Sequence, residues 1–139
     1  MTKEEEKQKL QEKYLEFQLL QERIQEVEQQ RQFIAQQNNE LHKTRDSLSG
    51  LSSAHTGEQI FSQIGSGVFI RTKLDEINYV LINIGANIFA SKTIEETRTF
   101  LDMHIEELEN TIGNINNTLE KAANHLYALQ EEILRLGKD

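Results

Sequence analysis

Three runs of carboxylates stand out in this 139-residue chain: Glu4-Glu5-Glu6, Glu106-Glu107-Glu109 and Glu131-Glu132. Paired carboxylates can move protons or hold a cation, but only where burial or mutual repulsion drives their pKa values apart. Here they lie on strongly polar stretches of helical period and read as solvated charge. The four histidines, His42, His55, His104 and His125, show none of the i, i+4 pairing that sets two imidazoles on one helix face for zinc. The chain has no Cys, which removes thiolate metal sites, disulfides and a Cys nucleophile. Gly65-Ser66-Gly67 is too short to cradle a phosphate and suits a tight turn. No Ser-His-Asp set has a pocket-forming context. The reading is a non-enzyme with no cofactor and no metal, leaving apolar contact as the chemistry to be placed.

The elements that place it are long helices. Hydrophobic residues make up 37% and aromatics 6%, thin for a globular core but ample for a coiled coil, whose heptad abcdefg needs apolar groups only at a and d. No Pro interrupts the chain. In the second half, Ile94, Leu101, Leu108, Ile115, Ala122, Leu129 and Leu136 fall at d. The a positions hold Arg98, Ile105, Ile112, Leu119, Leu126 and Ile133, so only Arg98 departs from the apolar pattern. Thr93 and Glu96 fit a capping box that starts this helix. Gly113, Asn114, Asn116 and Asn117 soften its middle without breaking it.

The first half repeats the period less strictly. Leu10, Phe17, Ile24, Arg31, Asn38 and Arg45 occupy a, and Lys13, Leu20, Val27, Ile34, Leu41 and Leu48 occupy d. Polar a residues cost stability but fix register and partner. Ser49-Gly50 supplies the expected stop, since Gly suits a left-handed cap. Met1 to Lys9 is highly charged and is expected to fray. The helices are expected over about 4–49 and 94–137, each about forty residues at ~1.5 Å per residue, a roughly 60 Å arm.

Between them lies a loop (51–58) and a β-like segment, expected over about 59–92. It reads as four strands, at about 59–64, 68–74, 79–84 and 88–92. Ile64-Gly65-Ser66-Gly67-Val68-Phe69 recurs as Ile84-Gly85-Ala86-Asn87-Ile88-Phe89, which indicates two copies of one hairpin. So short a connection makes the helices run antiparallel within one chain, with Leu10 near Leu136 and Leu48 near Ile94. Strand alternation places Ile60, Ile64, Val68, Ile70, Leu74, Val80, Ile82 and Ile84 on one face, and Phe61, Phe69 and Phe89 on the other. Two slim helices cannot cover both faces, so these residues and Ile88 are the expected oligomerisation surface.

The charge balance narrows the partners. Residues 1–50 carry eight Lys/Arg against ten Asp/Glu, and residues 93–139 carry four against ten. An acidic second helix repels a phosphate backbone, so no nucleic acid is expected. No apolar run reaches membrane-spanning length, so no membrane partner is expected and a cytoplasmic protein is.

The stretch from Ile60-Phe61-Ser62-Gln63-Ile64-Gly65-Ser66-Gly67-Val68-Phe69-Ile70, through Val80-Leu81-Ile82-Asn83-Ile84-Gly85-Ala86-Asn87-Ile88-Phe89-Ala90, to Thr93-Ile94-Glu95-Glu96-Thr97 resembles the α-type subunit of prefoldin. Two hairpins, where the β type has one, favour the α type. The resemblance implies a mainly α chain with a small β part, a coiled-coil hairpin with two β-hairpins at its bend. It also implies a hexamer of two α-type and four β-type subunits closed by a double β-barrel. Such an assembly holds unfolded protein clients at the coiled-coil tips without ATP and passes them to a group II chaperonin. A coiled-coil scaffold or adaptor subunit of a different prefoldin-like complex would share the layout. The residues expected to grip clients are apolar groups near the free helix ends: Tyr14, Leu19, Tyr127 and Leu134 off the seam, and Leu10, Phe17, Ile133 and Leu136 where the seam splays. Phe33, higher on the arm, is a weaker candidate.

Overall fold

The computed structural model describes residues 2–137. Among them are two helices, α1 (Lys3–Ser52) and α2 (Ile94–Leu136), and four strands, β1 (Gln59–Gly65), β2 (Val68–Lys73), β3 (Tyr79–Gly85) and β4 (Ile88–Thr93). They fall into two compact units. One comprises the residues up to Gln37 with those from Leu108 onward, and the other is Asn38–Glu107.

In the first unit the helices run antiparallel, held by an apolar seam. Val27, Leu129 and Ile133 are buried, and the other apolar a and d residues are half-buried. Cross-helix polar contacts confirm the direction: Lys13 Nζ lies 3.1 Å from Glu132, His125 Nε2 lies 3.4 Å from Glu16, and Arg31 donates to Asn116 Oδ1 at 3.3 Å. Lys13 is the one cation at an otherwise apolar stretch of seam. Its hydrogen bond and charge contact with Glu132 raise its pKa above the ordinary lysine value, and the same contact lowers that of Glu132. From Thr2 onward the start of α1 is capped rather than frayed, and Met1 of the stretch expected to fray lies outside the described residues. Glu5 N–H donates to Thr2 Oγ1 and Thr2 N–H donates to Glu5 Oε2, a reciprocal capping box that the Thr2-x-x-Glu5 spacing encodes.

In the second unit the pairing is again antiparallel, with Arg45 Nε 2.7 Å from Asp102 and Arg98 donating to Ser52 Oγ. Leu48, Leu101 and Ile105 form the buried centre, with Thr97. Asn38, at an a position, buries its side-chain carbonyl oxygen with no hydrogen-bond partner among the described residues. Such a loss is the known cost of a polar group that sets register. α1 does not stop at Gly50 as expected. It runs on to Ser52, with Leu51 half-buried and Ser52 Oγ donating to the Leu48 carbonyl, before Ser53 and Ala54 close it with 3.3 and 3.1 Å bonds. Burial of Leu51 outweighs the propensity penalty of a helical Gly, which is only about 1 kcal/mol. At the start of α2, Glu96 N–H donates to Thr93 Oγ1, so Thr93 is the N-cap.

The strands make two separate antiparallel hairpins, β1–β2 and β3–β4, with matching geometry. Gln63 pairs with Phe69 and then Gly65 with Val68; twenty residues on, Asn83 pairs with Phe89 and Gly85 with Ile88. Each therefore carries a one-residue bulge, at Ile64 and at Ile84. The turns differ. Ala86 and Asn87 both adopt positive φ, the signature of a type I′ turn, whereas Gly67 alone does so in the first hairpin.

Candidate functional site

Two sets of exposed apolar side chains are the features of this molecule that a partner could use. The first belongs to the hairpins. In β1–β2, Ile60, Phe61, Ile64, Val68, Phe69 and Ile70 are all exposed. Phe61 and Phe69 share one face, and the Arg71 guanidinium sits 5.6 Å from the centre of the Phe61 ring. In β3–β4, Ile84, Ile88 and Phe89 are exposed. Leu74, Val80 and Ile82, also expected on the assembly surface, are half-buried within the chain's own packing. Val80 and Ile82 face a groove of about 520 Å³ whose opposite wall is Leu41, Leu48, Phe100 and Leu101. Two exposed residues of this surface were missed in the sequence, Tyr79 and Leu81. Leu81 was legible, because the twenty-residue repeat aligns it with Phe61 and it is the most exposed large apolar residue of the hairpins, at 70%.

The second set lies in the coiled-coil unit. Tyr14, Leu19, Tyr127 and Leu134 are exposed, as is Phe33 further along α1. The expected splaying of the seam is not seen. Ile133 is buried, and Leu10, Phe17 and Leu136 are half-buried, because their a and d positions give them apolar partners across the seam up to the helix ends. Leu15, at f, is exposed and was missed, since attention to seam positions passes over a lone leucine on the outer face. Met103 is likewise exposed at an f position in the other unit. None of these residues forms a polar constellation. Among the described residues, no group of three or more His, Asp or Glu side chains could hold a metal ion. No described helix is long and apolar enough to cross a membrane.

Comparison with known proteins gives the family to which a chain with these surfaces belongs. The family model described as "Prefoldin subunit" matches residues 20–139. The chain belongs to the prefoldin subunit family. It is 26% identical over 124 residues to prefoldin subunit alpha of Methanococcus aeolicus, covering 89% of this chain and 84% of that protein. It is 23% identical over 124 residues to prefoldin subunit alpha of Archaeoglobus fulgidus, covering 89% and 90% respectively. The fold also matches a chain of the filamentous prefoldin from Methanocaldococcus jannaschii, with a TM-score of 0.70 at 20% identity, over 86% of this chain and 95% of that one. The resemblance to the prefoldin α type noted in the hairpin sequence is thus shown. Prefoldin subunits are chaperone components that work in oligomeric complexes with one another. In prefoldin terms, the hairpins and the coiled coil provide two physically different surfaces on one subunit.

Proposed function

We propose that this chain is an α-type subunit of an ATP-independent holdase, which assembles through its hairpins and holds non-native polypeptides on its coiled coil. The observation that carries this reading is the placement of exposed apolar side chains. Tyr14, Tyr127 and Leu134 gather in the unit made of the first part of α1 and the last part of α2, where the seam does not use them. Apolar burial is non-directional, so such groups suit clients of no fixed sequence.

The hairpins support the assembly half. Their large apolar side chains are exposed on both faces of β1–β2 and on one face of β3–β4, more than the chain's own helices cover, which is the kind of exposure that marks a contact with other chains. Closure of this surface as a double β-barrel of two α-type and four β-type subunits, in the cytoplasm, and transfer of clients to a group II chaperonin complete the proposal.

The test is suppression of aggregation of guanidinium-denatured citrate synthase by the chain assembled with a β-type prefoldin. Protection at a stoichiometric amount of assembly is expected, with no added nucleotide. Removing residues 1–19 and 127–139 is expected to abolish protection while leaving the assembly's mass lower only by the deleted residues. Loss of the assembly itself would refute the division of labour, and absence of protection by the intact assembly would refute the holdase.

A further inference from the structure

The two flanks of the coiled-coil unit differ in a way that apolar exposure alone does not show. The contacts across the seam define them. Arg31 at a reaches Asn116 at e, so the e and b positions of both helices share one flank. Glu16 at g meets His125 at g, so the g and c positions share the other.

On the e/b flank, α1 contributes Gln11, Tyr14, Gln18, Gln21 and Gln25, and α2 contributes Leu134, Gln130, Tyr127 and Ala123. All are exposed, and none is charged. On the g/c flank over the same stretch, α1 contributes Glu12, Glu16, Leu19, Arg23 and Glu26, and α2 contributes Glu132, Arg135, Ala128, His125 and Lys121. Seven of these ten are Lys, Arg or Glu. Over this stretch one flank is a mosaic of ions and the other carries only amides with Tyr, Leu and Ala, bounded by the next charged e and b residues, Lys7, Glu28 and Glu120.

We infer that the e/b flank alone is the client-contact surface, and that it takes uncharged, extended stretches of non-native main chain. The inference rests on the holdase reading and deepens it. An unfolded segment displays apolar side chains beside peptide N–H and C=O groups that have lost their partners. The flank matches both: Tyr14, Tyr127 and Leu134 offer apolar area, while each Gln offers two N–H donors and a carbonyl acceptor in water-accessible reach. A folded partner with a charged surface would lose hydration here without gaining a counter-charge. Leu19 and Phe33, set at c among Glu12, Glu26 and Glu40, are then scattered surface apolars.

The experiment uses the full chain assembled with a β-type prefoldin and guanidinium-denatured citrate synthase as the probe. A photo-reactive benzoylphenylalanine is placed singly at Gln18, Gln21, Glu12 or Glu26. Adducts with citrate synthase from Gln18 and Gln21 are expected to exceed those from Glu12 and Glu26 roughly tenfold, with the ratio unchanged between low and high salt. Tyr127→Lys is expected to weaken capture roughly tenfold, and Leu19→Lys less than about twofold, with helicity and assembly mass unchanged in both. Equal adducts from both flanks, or strong salt dependence, would overturn the one-sided surface. Adducts with a second copy of this chain would make the flank an interface between arms instead. A wild-type assembly that protects citrate synthase while no position cross-links to it would also overturn the inference and leave the holdase standing. Failure of the wild-type assembly to protect at all would remove the reading beneath it.

Discussion

The two hairpins share a sequence pattern, a register and a bulge, yet the chain uses them differently. β3–β4 sets Val80, Ile82 and Ala90 half-buried on one face, across a groove from Leu41, Leu48 and Leu101. β1–β2 leaves the matching Ile60 and Ile70 exposed, and its half-buried pair is polar, Ser62 bonded to Thr72 at 2.7 Å. The connections explain the contrast. β4 ends at Thr93, and Thr93 is itself the N-cap of α2, so the second hairpin is tied rigidly to a helix. β1 and β2 are joined to their neighbours by non-helical segments at both ends, around Ala54–Gly57 and Asp75–Asn78. A hairpin held by its covalent neighbour gains intramolecular burial. One held by loops leaves its apolar surface exposed.

The sharpest way to break this contrast is a charge at equivalent positions. Val80→Asp is expected to cost the isolated chain about 1–2 kcal/mol, by setting a half-buried carboxylate in the groove walled by Leu48 and Leu101. Thermal unfolding followed by helicity measures it. Ile60→Asp is expected to leave that unfolding within about 0.5 kcal/mol of wild type and instead to reduce association, read as mass in solution. If both variants unfold alike, the hairpins are equally packed and the contrast fails.

The turns give a smaller effect of opposite sign. Gly67→Ala is expected to destabilise the first hairpin by about 1 kcal/mol, because φ is +71° there. Ala86→Gly is expected to stabilise the second by up to about 1 kcal/mol, since Ala at φ +50° is strained. Amide exchange within each hairpin reads both. Ser62→Ala should cost about 0.5–1 kcal/mol for the lost Thr72 bond and act on the first hairpin's exchange alone. Smallest is Arg71→Gln, at about 0.5 kcal/mol for the exposed contact over Phe61, read the same way.

Much of this was legible in the residues. Every a and d residue named for α2, from Ile94 to Leu136, is buried or half-buried in the structure. The strands lie within a residue of their expected limits, because the repeat and its turn residues mark both hairpins. Other features needed more. Gly50 reads as a stop, but packing of Leu51 carries the helix past it. The Thr2–Glu5 capping box was present in the sequence but hidden by the charge around it. Leu10, Phe17, Ile133 and Leu136 sit near chain ends, where fraying is a fair expectation, yet their cross-seam partners keep them packed.

Taken alone, the sequence determined the two heptad helices, the duplicated hairpin and the uncharged e and b positions from Gln11 to Gln25 and from Ala123 to Leu134, because each follows from residue types at short, regular spacing. The tertiary structure decided which hairpin is packed, how far the seam stays closed and which helix positions become neighbours on one flank. Those outcomes depend on residues far apart in the chain, such as Arg31 bonded to Asn116 and Val80 set across a groove from Leu48, which no local pattern brings together.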